Sequence, residues 1–238
     1  MNYDDAVRAA RCSLATIAVE GLEGLGIQLA ELLIRLNVGT LILRDPRPVS
    51  AEIPGFRAIE QGRPRSEAAA ERLSSQAEQT VVLEAFEGTA IAGADLHLVT
   101  AAGALEADAL RRAYQESAAV LPVLVTAQGW RAGPLLLPGA PVCPECLLHT
   151  GLLTQTTPQA TGSDPGESTP AGPAAAALVM GAAAAAAQQA SALIQGSAPP
   201  AIHQAALVCE AGTGLITPQL IQPVPNCACF TAALPVGL

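Results

Sequence analysis

The sequence predicts an α/β protein with a mostly parallel sheet covered by helices on both faces and an addition at its C-terminal side. Three observations carry this. Short β-branched apolar runs alternate with segments of helical period along the first 126 residues. A glycine-rich turn joins the first strand to the first periodic segment, and an acid ends the second strand. Half of the 238 residues are hydrophobic, enough to bury a core without disulfides.

Residues 13–19 form an apolar, β-branched run that ends in Glu20-Gly21-Leu22-Glu23-Gly24-Leu25-Gly26. Ile27, Leu29, Ala30, Leu32, Leu33 and Leu36 then recur at helical spacing. Gly39 punctuates, and residues 40–43 read as a second buried strand that ends at Asp45. Strand, glycine turn, helix, strand and acid form the first unit of a Rossmann-like, dinucleotide-binding sheet. Helices are predicted over 66–75 and 106–116, and strands over 80–83, 96–100 and 120–126. Residues 150–172 are rich in Thr, Pro, Gly, Ser and Gln without apolar period, and read as a flexible loop. An alanine-rich helix is predicted from 173 to about 195, stopped by Gly196 and Pro199-Pro200. Its apolar window, 173–188, falls short of the ~20 residues that a bilayer needs, so it reads as a buried helix. Two closing strands, 205–210 and 215–221, flank Ala211-Gly212-Thr213-Gly214. The expected organisation is therefore a sheet domain at 1–149, a loop at 150–172, and a helix with closing strands at 173–238 that belongs to the same domain.

Composition removes several function classes. All 12 basic residues are arginine, so chemistry that needs a lysine is excluded. The net charge of −9 argues against nucleic acid and anionic membranes as partners, because both need a positive field. Residues 1–11 lack the apolar stretch of a secretory signal, and the cytoplasm is the expected compartment. No Gly-x-Ser-x-Gly elbow supports a hydrolase. His97, His149 and His203 fit no metal or triad spacing; His97 reads as a core histidine and His149 as a surface residue. Trp130 reads as packing at a turn, Asp95 as a turn residue, and Arg111 and Arg112 as a solvated helix face.

Cysteines carry the strongest local signal. Cys143-Pro144-Glu145-Cys146 and Cys227-Ala228-Cys229 are two close pairs, the pattern of a tetrahedral zinc site. A redox dithiol at 143 and 146, or four inert buried thiols, are the alternatives. Four protein ligands would leave the metal no open position, so it would staple the C-terminal part to the sheet. Cys12 and Cys209 read as buried small hydrophobes.

These residues together resemble the ThiF/MoeB group, relatives of the ubiquitin-activating enzymes. Within it, the likeness is to the ThiF-like partners of YcaO enzymes in thiazole- and oxazole-peptide biosynthesis. The likeness rests on residues 19–45, on Glu60-Gln61-Gly62-Arg63-Pro64-Arg65-Ser66-Glu67-Ala68-Ala69, on Gly133-Pro134-Leu135-Leu136-Leu137-Pro138-Gly139 running into the first cysteine pair, and on the terminal Cys-x-Cys. It implies a fold that adenylates a peptide C-terminus with ATP and magnesium, using Gly21, Gly24 and Gly26 at the phosphates, Asp45 at the ribose and a cation at position 65. It also implies a homodimer. The winged-helix segment that precedes this fold in many YcaO partners is not expected in the short stretch before the first strand.

The departures decide the functional expectation. Where the group has Gly-x-Gly-Gly-Leu-Gly, this sequence places Glu23 at the second glycine. That glycine lets backbone amides reach the phosphates. At ~4 Å two like charges repel by about 1 kcal/mol in water and several times more in a partly buried site. Glu23 itself reads as an anion that caps the following helix. The group's lysine falls at Arg65, which keeps charge but not geometry. Its Asn-x-x-Arg-Gln stretch is absent from 50–57, and its magnesium-holding aspartate has no counterpart in Thr100-Ala101-Ala102-Gly103-Ala104. The expectation is a zinc-stabilised, non-catalytic scaffold for a peptide or protein partner in peptide modification. The alternative is an ATP-dependent adenylating enzyme served by Arg65 and Arg57.

Overall fold

Helix α1 (Tyr3–Leu14) leads into β1 (Thr16–Glu20), α2 (Gly24–Arg35) and β2 (Thr40–Arg44). A 3-10 turn at Ala58–Glu60 precedes α3 (Arg65–Ser74) and β3 (Val81–Glu84). Then follow β4 (Leu96–Ala102), α4 (Ala107–Glu116), β5 (Val120–Thr126), β6 (Gly129–Ala132) and α5 (Pro144–His149). Helix α6 (Pro173–Gln195), β7 (Ala205–Glu210) and β8 (Ile216–Leu220) complete the chain of elements. This computed structural model describes residues 3–51, 53–151, 173–196, 199–225 and 227. The predicted 150–172 loop therefore falls, apart from its first two residues, outside the described residues.

The strands form one sheet in the order β3-β2-β1-β4-β5-β6-β7-β8. The first five are parallel and the last three antiparallel. The order reverses between β1 and β4, which makes the crevice beyond their C-terminal ends the topological switch point where this fold binds ligands. β1 and β5 are buried nearly throughout, as strands covered on both faces must be. Helices α2, α3 and α6 lie on one face over Ile17, Val19, Leu41, Leu43 and Trp130, and α4 and α5 on the other over Val99, Val120 and Leu136. The 133–139 stretch has a structural reason: Leu136 exchanges both backbone hydrogen bonds with Val120, at 2.8 and 2.9 Å.

Helix α1 was not anticipated from the sequence, although Asp4 and Asp5 in its first turn and Arg11 in its last suit the helix dipole. It is anchored by Arg11, which donates to the Gln195 carbonyl at the end of α6. Helix α6 has the predicted bounds, and Gly196, at φ +62°, ends it. Ala182, Ala183, Ala186, Ala187 and Ala190 form its buried stripe, small enough for α2 to pack closely. Buried along one side only, α6 is long and apolar enough by length and composition to cross a membrane. Trp130 is a buried residue of β6 packed against Gly181 of α6, not a turn-edge residue.

Candidate functional site

The turn between β1 and α2 shows why two glycines remain. A Cβ on Gly26 would sit 2.0 Å from the Gly21 carbonyl oxygen, and one on Gly21, at φ +90°, 2.1 Å from that of Thr100. These positions serve the close approach of turn, helix and β4, which the fold needs whether or not a nucleotide binds. Thr100 donates its hydroxyl to the Gly21 carbonyl. Gly24 is different: a Cβ there would meet only Pro54, at 3.5 Å. Pro54 and Gly55 belong to the segment after β2, which lies against Gly24 and Ile27 at the start of α2.

Glu23 occupies the N-cap position of α2, but its carboxylate makes no capping hydrogen bond, contrary to the sequence expectation. Two guanidiniums draw it away from the helix amides: Arg65 Nη1 and Arg47 Nη1 both lie 3.4 Å from Glu23 Oε1. Arg65 is delivered by the 60–69 stretch, which pairs with the chain beyond Asp45 through Val49 and becomes the first residue of α3. Its Nε donates to the Pro48 carbonyl at 3.2 Å, and its Nη1 to Asp45 Oδ2 at 3.2 Å.

Asp45 is the centre of this network. Oδ1 accepts from the Arg47 amide at 3.2 Å and from Arg47 Nε at 2.9 Å. Oδ2 accepts from the Leu22 amide at 2.8 Å, Arg47 Nη2 at 2.9 Å and Arg65 Nη1 at 3.2 Å. Two carboxylate oxygens offer about four lone-pair directions, so these five donors saturate them. Burial alone would raise the Asp45 pKa, but the Arg47 hydrogen bonds and charge, the Leu22 amide and Arg65 outweigh it and hold the carboxyl below its ordinary value. The structure brings Gly21, Gly24, Gly26, Asp45 and Arg65 to one end of β1 and β2 and fills the space around Asp45 with the chain's own ion pairs. Arg47, which the sequence reading missed, is the residue that does most of the filling. Its position two residues beyond Asp45, across Pro46, was the available signal.

Beside the network a cleft of about 210 Å³ opens at the switch point, lined by Glu20, Arg44, Thr100, Ala104, Glu106 and Arg112 among others. It is below the ~300–1,000 Å³ of typical small-molecule pockets. Glu20 forms its floor, receiving Arg112 on Oε1 and Arg44 Nη1 at 3.4 Å on Oε2. Arg44 also binds Glu116 at 3.0 Å. Arg111 and Arg112 are exposed on α4, as expected, and Arg112 in addition reaches the sheet through an ion pair with Glu20. His97 is fully buried, as expected, with Nδ1 3.2 Å from Ser117 Oγ and Nε2 3.2 Å from Glu20 Oε2. Burial opposes ionisation of Glu20, yet His97 and Arg112 together keep its pKa low. Thr100 to Ala104 carry no carboxylate, and the first acid after β4, Glu106, lines the cleft from the N-cap position of α4. Arg57 pairs with Glu60 on the surface and does not reach the cleft.

The second cluster lies on the α4 face. Cys143 is the N-cap of α5, Pro144 its first residue, and Cys146 sits within it. A cysteine pair at a helix start serves a redox dithiol as well as a metal knuckle, so helix position does not separate the two chemistries. The third sulfur does. Cys227 Sγ is 3.5 Å and Cys146 Sγ 3.9 Å from Cys143 Sγ, and all three lie within 4.8 Å of one another. Metal–thiolate bonds of about 2.3 Å in a tetrahedron require S···S separations of about 3.8 Å, and the two separations from Cys143 lie near that value. The Val224 amide, 3.4 Å from Cys146 Sγ, adds a donor suited to a thiolate. These residues could hold a metal ion; Cys229, the expected fourth ligand, lies outside the described residues. Arg111 binds Glu145 between the two cysteines, tying α5 to α4.

The parallel strand order, the Gly21–Gly26 turn and the acid after β2 define a Rossmann-like fold. Three solved structures place it more closely. The chain is similar to Escherichia coli MccB solved with ATP, at 17% identity and TM-score 0.72, over 94% of this chain and 68% of that one. It is similar to the microcin C7 biosynthetic enzyme MccB in complex with N-formylated MccA, at 16% identity and TM-score 0.73, over 94% and 70%. It is also similar to PaaA, at 16% identity and TM-score 0.68, over 91% and 76%. No protein-family model matches the sequence, and no curated protein matches it. At these identities the likeness shows the fold.

Proposed function

We propose that this protein is a non-catalytic, zinc-held scaffold of the ThiF-like fold that binds a peptide or protein partner in peptide modification. The observation that carries the reading is the saturation of Asp45 by five donors, with Glu23 completing the ion-pair network. A ribose would have to donate hydroxyl hydrogens to a carboxylate with no lone pair left, and phosphates would meet Glu23 where amides should be. Adenylation further needs magnesium and unengaged cations to stabilise developing charge. Arg47 and Arg65 are engaged with Asp45 and Glu23. Zinc, held by Cys143, Cys146, Cys227 and Cys229, supplies structural cross-linking in this reading. A peptide partner is supported by the fold shared with MccB, which is solved with N-formylated MccA. The working form is a cytoplasmic homodimer.

The alternative, an ATP-dependent adenylating enzyme, is favoured by the open cleft beside Asp45 and by the MccB structure solved with ATP. Thermal melts in millimolar magnesium-ATP separate the two. A ligand at 100 times its dissociation constant stabilises by about 2.7 kcal/mol, a shift of several degrees for a chain of this size. The scaffold reading expects no shift for the wild type. A shift that disappears in Arg65→Ala would establish the enzyme.

A further inference from the structure

We infer that the outer edge of β3 takes up an extended, cationic peptide segment as a further strand of the sheet. β3 ends the sheet on the β2 side and pairs only with β2 among the described strands. The Val81 amide donates to the Gly39 carbonyl and the Ala85 amide to that of Leu43. The alternate residues Val82 and Glu84 therefore turn their backbone N–H and C=O groups outward. No proline, lysine or arginine on the strand blunts this edge. One face of β3 is covered: Val82 packs on the core that contains Ala69 and Leu73 of α3, and Glu84 accepts the Ser66 hydroxyl at 3.0 Å. The opposite face is bare. There the register sets Val81 beside Thr40 and Leu83 beside Ile42, whereas α4 covers that side of the sheet over β4 and β5. Ala85, Ile91 and Ala94 close over Ala18 and Ile42, one strand short of the edge. Val81 is left 57%, Leu83 46% and Phe86, just beyond the strand, 68% exposed. Outward backbone groups beside an apolar strip are what strand addition uses, the main chain for affinity and alternate side chains for choice.

Charge selects the occupant. Residues 73–110 carry Glu78, Glu84, Glu87, Asp95, Glu106 and Asp108 and no basic residue. On the neighbouring α3, Glu67 and Glu71 are paired with Arg63. Glu78 and Glu87, exposed before and after β3, have no ion pair among the described residues. A second copy does not fit this edge. Pairing β3 with β3 brings the acids that bracket it together, between two chains that each carry −9. An apolar strip bracketed by such acids fits a segment that alternates apolar residues with arginine or lysine.

The inference rests on the peptide-partner part of the function proposed above and gives that peptide a place and a chemistry. The probe is a dye-labelled octapeptide of alternating valine and arginine, read by fluorescence anisotropy with the metal-replete full chain at ~150 mM salt. Saturable binding is expected, with a dissociation constant of ~100 μM or lower. Glu78→Arg and Glu87→Arg together, both at exposed side chains, are expected to keep the far-UV spectrum and to weaken binding ~10-fold or more. A probe N-methylated at every residue keeps the side chains, loses the ladder donors, and is expected to bind no better than that double variant. No binding by the wild type overturns the inference. So does equal binding of the N-methylated probe, which would show attraction by charge alone, and so does a double variant that binds as well as the wild type. Binding of magnesium-ATP would end the scaffold reading and leave a positive peptide result standing. A chain that ignores both ATP and the probe ends this inference alone.

Discussion

Asp45 and its guanidinium partners form a buried ion-pair network at the β1–α2 turn. Its side chain is 1% exposed, and Arg65 is 9% exposed, so removing the carboxylate strands a buried cation. Asp45→Ala is expected to cost about 3–5 kcal/mol, read as a lower urea midpoint. The glycines make a second, graded test. Gly26→Ala drives a Cβ into the Gly21 carbonyl and should cost several kcal/mol, whereas Gly24→Ala meets only ordinary contact with Pro54 and should be neutral or stabilising by about 0.5 kcal/mol. What the sequence made legible is the backbone of this turn, because Gly21 and Gly26 stand where a Cβ would meet a carbonyl oxygen. Legibility ends where a long side chain chooses between partners. Glu23 was expected to cap α2, and only the folded chain shows Arg47 and Arg65 within 3.4 Å of it.

At the scale of elements, alternation of strand and helix was legible from β1 to β5 because each buried strand reads as an apolar run and each helix repeats at its own period. Three elements escaped for physical reasons. Helix α1 buries only Cys12 of its twelve residues, so it lacks a strong apolar stripe. Strand β6 is four residues long, too short to establish a period. Helix α5 begins at a proline inside the cysteine pair, where the metal-ligand spacing dominated the reading. The knuckle that α5 forms predicts an element-level response. Strong chelation at neutral pH should lower the melting temperature, atomic absorption is expected to find zinc in the wild type, and Cys146→Ser should lose it. A chain that melts identically with and without chelator, and carries no zinc, would remove the staple from the account.

Across the whole molecule, buried carboxylates tie stability to pH. Asp45 and Glu20 have pKa values below their ordinary 3.8 and 4.5 when folded. Their contribution is therefore fully present above those values and is lost as pH falls through the lower folded ones. Urea titrations at stepped pH should show stability falling below about pH 4, with a shallower fall in Glu20→Gln. In the proposed reading the switch point closes on its own ion pairs at Asp45 and Glu23. A calorimetric titration of the metal-replete protein with magnesium-ATP tests it most directly. The account predicts no saturable heat up to millimolar nucleotide. Heat that saturates at one site per chain in the micromolar range would contradict it, because Asp45 and Glu23 would then have to release their arginines to a ligand.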